Sequence, residues 1–331
     1  MILEISRARS ATLALAAALA LAPLAGAGPA SAEEGRVHTV QANSDLKKRA
    51  DLLMKGITDA GGKVTYGALE AGASPEALVM KNVEIISADN KKFTIEQIDI
   101  RAMDWENATE PRHLDMTVRK FVIAADALDK EGQDNFRDLG LTSLTISGEM
   151  AYKFDEKEKA LDVSKLFIDI AEMGEVRVRL MLTGLTPADL KGATGGEPAK
   201  PKDAPPTKPG EPGDQAMMGL LTRLNLAAAS IAFKDKSLVE RMVRHDAKKK
   251  NMTEQAAKAK MLEEMAEERA KAEDDVSKEL IDAAIKFLRN PGEIEFAANP
   301  PAPANVMMAF MMIMGNRATF KQMLGLTISV K

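Results

Sequence analysis

Apolar residues recur in this chain with a spacing that neither a plain strand nor a helix produces. In Leu161-Asp162-Val163-Ser164-Lys165-Leu166-Phe167-Ile168 they occupy relative positions 1, 3, 6 and 8. The same spacing appears at Leu78-Met80-Val83-Ile85, Phe93-Ile95-Ile98-Ile100, Met116-Val118-Phe121-Ile123 and Leu139-Leu141-Leu144-Ile146, with a weaker copy at Leu224-Leu226-Ala229-Ile231. A regular strand alternates its faces at every residue, so positions 1 and 3 point one way and 6 and 8 the other. One extra residue between the two pairs, a β-bulge, returns all four to one face and bends the strand. The spacing therefore predicts an α+β fold built on a curved, bulged, mainly antiparallel β-sheet with one apolar face. Copies starting at 93, 116, 139 and 161 lie 22 or 23 residues apart, a weak internal repeat of strand and return. The return strands alternate plainly, as in Met150-Tyr152-Phe154 and Val176-Val178-Leu180-Leu182, the pattern of antiparallel strands with one wet face.

Helical periodicity brackets the strand region. Asn43 or Ser44 caps a helix to about Ala60, with Leu46, Ala50, Leu53, Met54 and Ile57 as its apolar stripe and Gly61-Gly62 as its stop. Residues 126–138 read as a polar connection. Lys236 to Asn290 predicts three charged helices: one from Leu238, one opened by Thr253, and one carrying Val276, Leu280, Ile281, Ile285 and Leu288. The middle helix has a narrow stripe and reads as solvated on most sides. Asn305 to Met314 is apolar nearly all round and predicts a buried helix. A short helix at Thr319 to Leu324 and a strand through Leu326, Ile328 and Val330 close the chain.

The boundaries follow from composition. Residues 1–32 form a secretory signal peptide: Arg7 and Arg9, an Ala/Leu run from Ala11 to Ala27, and Ala30-Ser31-Ala32 as the cleavage signature, with the cut between Ala32 and Glu33. Residues 33–62 are a leader and helix, 63–190 the antiparallel sheet region, 191–215 a Pro-rich disordered linker, and 216–331 an α+β C-terminal region. The linker reads either as a separator of two domains or as a long loop within one sheet, since the weak spacing motif resumes just after it.

Composition narrows location and partners. Cleavage removes Glu4, Arg7 and Arg9, which takes the net charge from −4 to −5 and argues against a nucleic-acid surface. There is no cysteine, so disulfides contribute nothing and the core carries the fold. The mature chain has no run near the roughly 20 apolar residues of a membrane-crossing helix. The expected location is the periplasm.

No catalytic constellation is present. His38, His113 and His245 are scattered and lack metal-ligand spacing, and no nucleophile elbow, phosphate loop or dinucleotide fingerprint occurs. No cofactor is implied. Trp105 reads as a packing residue. The Met-rich run from Met307 to Met314 reads first as core packing, next as an adaptable lining for an apolar ligand, and last as a thioether site for Cu(I), against which Phe310 and Ile313 argue. Leu161, Val163, Leu166, Ile168, Met307 and Met311 are the candidate lining of an apolar groove. Two functions fit: a non-catalytic binder of lipid or another hydrophobic ligand, or an envelope structural protein with a filled core that binds a protein partner through its surface.

Val64-Thr65-Tyr66 followed by Leu78 to Ile85 and Phe93 to Ile100 resembles the strand pattern of AsmA-like and YdgA-like envelope proteins. So do Leu139-Gly140-Leu141 through Tyr152-Lys153-Phe154-Asp155 to Leu161-Asp162-Val163, and Asp235-Lys236-Ser237-Leu238 followed by Arg241. The likeness spans most of residues 63–331 and is one of pattern. It implies a β-rich, periplasm-facing protein linked to outer-membrane or lipid homeostasis, with no catalytic residues to carry over. The Pro-rich linker, the long charged helix and the lack of a membrane anchor depart from that group and argue against a conduit spanning the envelope.

Overall fold

The computed structural model describes residues 39–108, 111–187, 189, 212–315 and 317–331. The signal-peptide reading and its cleavage point lie outside the described residues, as do residues 191–211 of the linker. Among the described residues, twelve strands form a single open sheet. β1 (Lys63–Thr65) and β2 (Ala68–Ala71) both pair with β3 (Leu78–Ile86). Next come β4 (Lys92–Met103), β5 (His113–Ala124), β6 (Ser143–Asp155), β7 (Ala160–Ile170), β8 (Gly174–Thr183) and β9 (Asn225–Asp235), each beside its predecessor in the chain. β10 (Glu293–Ala298) pairs with β9 and with the final strand β12 (Leu326–Val330), while β11 (Ala304–Asn305) pairs with the start of β9. Every pairing is antiparallel. β8 and β9 flank the Pro-rich segment in the chain yet pair along their whole lengths, so the segment departs from and returns to one sheet.

The spacing motif has a physical origin in this sheet. In β3, β4 and β5 the two-residue gaps stand opposite one another: Met80 and Val83 face Ile98 and Ile95, which face Val118 and Phe121. Because neighbouring strands carry the irregularity at the same level, register is kept across it from β3 to β5, and at this level it shifts where β5 meets the plain strand β6, between Val118 and Phe121. Asn82 (φ 51°) and Lys120 (φ 48°) take the left-handed conformation inside their gaps. The Lys120 N–H, drawn out of the ladder, donates to Ser147 Oγ at 3.0 Å. β7 has its own bulge at Ser164-Lys165, between Val163 and Leu166.

The motif misled at one copy. Leu139 and Leu141 are not strand residues. Residues 130–138, read as a polar connection, form helix α2 (Lys130–Asp138), whose first turn is capped by Asp129 accepting from the Gly132 N–H at 2.8 Å. Leu139 is the last residue with helical geometry, Gly140 (φ 69°) reverses the chain, and β6 then alternates plainly through Leu144, Ile146, Gly148 and Met150.

Helices cover the two ends of the apolar face. At the N-terminal end, α1 (Thr39–Asp59) starts earlier than Asn43 and packs Leu46, Ala50 and Met54 into one buried cluster with Leu78, Met80, Ile95 and Ile100. Trp105 packs against this cluster from a 3₁₀ turn and donates from Nε1 to the Glu76 carbonyl at 2.7 Å. At the other end, α4 (Leu238–Lys250), α5 (Glu254–Lys271) and α6 (Asp275–Arg289) share a second cluster with Val243, Ala257 and Leu288 at its centre. α5 packs against both its neighbours through Ala257, Met261 and Leu262. Phe287 of α6 meets Phe233 of β9 edge-to-face at 6.0 Å. α3 (Pro212–Arg223) begins within the residues read as linker, so the linker ends before Pro212. α7 (Val306–Gly315) and α8 (Arg317–Leu324) follow β11, and Phe320, Met323 and Leu324 of α8 pack with Ala229 and Ala298 on the sheet.

α7 is the largest departure from expectation. Its all-round apolar sequence predicts burial, yet Met308 is 48 %, Phe310 64 % and Met311 58 % exposed. Ala309 is its contribution to the cluster with α8 and β9. The helix rests on α3, α8 and β11, at the margin of the sheet rather than beneath it.

Candidate apolar groove

Antiparallel register places side chains of neighbouring strands side by side, and two unbroken apolar rows result. One runs from Leu78, Ile100 and Met116 through Met150, Leu166 and Val178 to Ile231, Phe296 and Ile328. The second runs from Met80, Ile98 and Val118 through Gly148, Ile168 and Val176 to Phe233, Ile294 and Val330. Both cross nine strands. A shorter third row, Val83, Ile95, Phe121, Ile146 and Ile170, lies on the far side of the bulge.

Burial changes along these rows. Leu78 and Ile100 are fully buried under α1, whereas Met116, Leu166 and Val178 are half-buried and Ile231 is 49 % exposed. Between the helices at the two ends, the apolar face from β5 to β9 is a partly covered trough: Met150 and Phe121 are buried in it, while Met116, Val118, Leu166, Ile168, Val176, Val178 and Ile231 keep exposed surface. One depression in it lies at Gly148. Met116, Val118 and Phe121 of β5 line the depression on one side and Leu166 and Ile168 of β7 on the other, with Ile146 and Met150 beside the glycine. A side chain at Gly148 would stand in this floor, and its Cβ would also lie 3.0 Å from the Phe167 carbonyl. A second depression follows along the strands, lined by Phe136, Leu141, Leu144, Ile170 and Met173 together with Asp138 and His245. Arg241 of α4 closes that end of the sheet, donating to the Leu139 carbonyl at 2.8 Å and to Glu172 at 2.9 Å.

The opposite face is wet and charged. Arg101 pairs with Asp115 and donates to Thr117 at 2.7 Å, Lys165 pairs with Glu149 at 2.7 Å, and Lys236 bridges Asp169 at 2.6 Å and Glu175 at 3.1 Å. Arg177 of β8 pairs with Glu293 of β10 across the intervening strand β9. The Asp169 carboxylate raises the Lys236 ammonium above its ordinary value, and bonds from Lys331 and Arg177 hold the Glu293 carboxyl low despite partial desolvation. Beside the trough, burial pushes the Tyr152 phenol up to about 12, with the Asp104 charge adding to it, and its O–H donates to the Pro111 carbonyl at 2.9 Å. Among the described residues, no three His, Asp or Glu side chains converge as a metal site. No described helix is long and apolar enough to cross a membrane.

The residues singled out from sequence divide. Leu166 and Ile168 line the depression. Leu161 and Val163 lie on the same face of β7, half-buried beside Leu182 and Leu180 of β8. Met307 and Met311 sit on α7 and line neither depression. Sequence reasoning missed Gly148, although a glycine inside an alternating strand signals a close approach or a missing side chain. It also left Met116, Val118 and Phe121 unassigned to the site, although they carry the same spacing as Leu161 to Ile168.

One family is similar to the C-terminal half. A family model described as "Uncharacterized protein" matches residues 167–331, from within β7 to the last residue. No curated protein matches the chain.

Proposed function

We propose that this chain is an exported, non-catalytic periplasmic protein that holds a hydrophobic ligand, a lipid, against the apolar face of its sheet in the service of envelope maintenance. The observation that carries the reading is the uncovered stretch of the two apolar rows. Burying that face under helices contributes about 25 cal/mol per Å² of apolar surface. α1 does this at one end and α6 and α8 at the other, yet between them Met116, Leu166, Val178 and Ile231 of the same row keep exposed surface. A soluble occupant with an apolar surface supplies the missing burial. The ion-paired opposite face supports the same assignment, because it leaves the trough as the side suited to a hydrocarbon surface. The test is native mass spectrometry of protein purified from its producing cells, with uptake of a fluorescent fatty acid as a second arm. Lipid adducts and saturable uptake are expected; repeated absence of both overturns the reading.

A second reading, an envelope factor that acts by contacting a protein partner, is favoured by α7, whose Met308, Phe310 and Met311 are exposed together. On that reading Phe310→Asp abolishes the function in cells while lipid uptake is unchanged.

A further inference from the structure

The geometry points to a single fatty-acyl chain as the occupant, laid across the strands along the two apolar rows, with its usable length set by the helices that close the trough; this rests on the lipid reading above. Three observations carry it. The first is chemical. From Met116 to Ile231 the floor residues are apolar or glycine, and the backbone groups of β5 to β8 are spent in ladders on both sides. A polypeptide segment lying on this floor finds no partner for its amides and bears their desolvation, whereas a hydrocarbon chain has no such groups. The second is width. The notch at Gly148 is one missing side chain wide, between Val118 and Ile168 of the same row. An α-helix is about 10 Å across and cannot enter it.

The third observation is length. Leu78 and Ile100 are sealed beneath α1, and at the other end Phe233 meets Phe287 of α6 while Ala229 and Ala298 lie against α8. Between these closures the trough crosses from β5 to β9, four strand spacings of about 4.8 Å, or about 19 Å. That is close to the reach of one extended palmitoyl chain. A trough closed at both ends holds and shields one chain; it does not pass chains along the sheet.

The test is calorimetric titration of the full mature chain with laurate, myristate, palmitate, stearate and lignocerate, and separately with vesicles of phosphatidylcholine. One site per chain is expected, with affinity rising about fourfold per added methylene as each is buried, levelling off near palmitate or stearate. Gly148→Leu, which fills the notch, lowers affinity at least tenfold across the series. Ile231→Asp, at a half-exposed position at the far end of the floor, moves the plateau to a shorter acid and weakens palmitate and stearate more than laurate. Melting curves verify that both variants are folded. If Gly148→Leu does not fold, the Ile231→Asp series decides alone. Saturable binding that rises without a plateau, that takes two or more chains, or that prefers the two-chain phospholipid overturns the length limit and leaves the lipid reading standing. No saturable binding of any acid or of the vesicles overturns both.

Discussion

At the scale of single residues, the same side-chain type carries different weight according to where its row is covered. Ile100 and Ile231 lie in one apolar row, but the first has no exposed surface and the second is 49 % exposed. Ile100→Ala removes packed methylenes and leaves a cavity, at a cost of about 2–5 kcal/mol, whereas Ile231→Ala costs under about 1 kcal/mol. Urea unfolding of the two variants gives this contrast directly. Tyr152 carries the pH dependence. Its phenol is raised to about 12 in the folded chain against about 10 when unfolded. A raised acid holds its proton more tightly in the fold, so its stabilising contribution is fully present below about pH 10 and is lost as pH climbs through the folded value. The wild-type chain therefore loses stability between about pH 10 and 12 to an extent that Tyr152→Phe does not, as read from melting curves of the two across that range. Tyr152→Phe also forfeits the bond to the Pro111 carbonyl, about 1 kcal/mol at lower pH.

At the scale of elements, the aligned bulges explain why the spacing motif was readable and why it also deceived. Met80/Val83, Ile95/Ile98 and Val118/Phe121 report a real feature, since each pair straddles a gap and returns to one face. Leu139/Leu141 match the same template by coincidence: they are the exit of α2, which packs apolar residues for a helix-end reason. α2 itself was hidden because its nine residues carry one large apolar side chain, Phe136, too few for a visible stripe. α7 was misjudged for the opposite reason. Apolar periodicity records what a helix can bury, and here the neighbours take up Ala309 while Phe310 and Met311 stay outside. The site was legible to the same degree. Its floor on β7 was visible in Leu166 and Ile168, but Gly148 is defined by an absent side chain and emerges only once Val118 and Ile168 are seen to flank it. The left-handed residues inside the gaps give this scale its prediction. Asn82 is exposed and tolerates φ 51°, a conformation that a β-branched residue resists. Asn82→Val therefore costs about 1–2 kcal/mol despite touching no core, and Asn82→Gly does not; chemical unfolding of the pair separates backbone strain from lost contacts.

At the scale of the whole molecule, the sheet is a curved meander with one wet face, one apolar face and a helical weight at each end. Its order could not be read from the chain, because β8 and β9 are separated by the Pro-rich segment and only their register joins them. The order matters beyond architecture. From β3 to β8 each strand lies beside the one made just before it, so the chain can assemble by local zippering, with little loop-closure entropy per step. The returns at β9, from Thr183 to Asn225, and at β10, from Asp235 to Glu293, must bridge long stretches, and β10 and β12 can add only after β9. Amide hydrogen exchange is expected to follow this sequence in reverse. The amides of β3 and β4, sealed beneath α1, exchange slowest; those of β12, which has one neighbour, exchange early and as a group with β10. A nascent chain emerging from its N-terminus thus completes the sealed end of its sheet before the residues that close the other end exist, and its apolar rows stand open for longest at the strands that remain open in the finished protein.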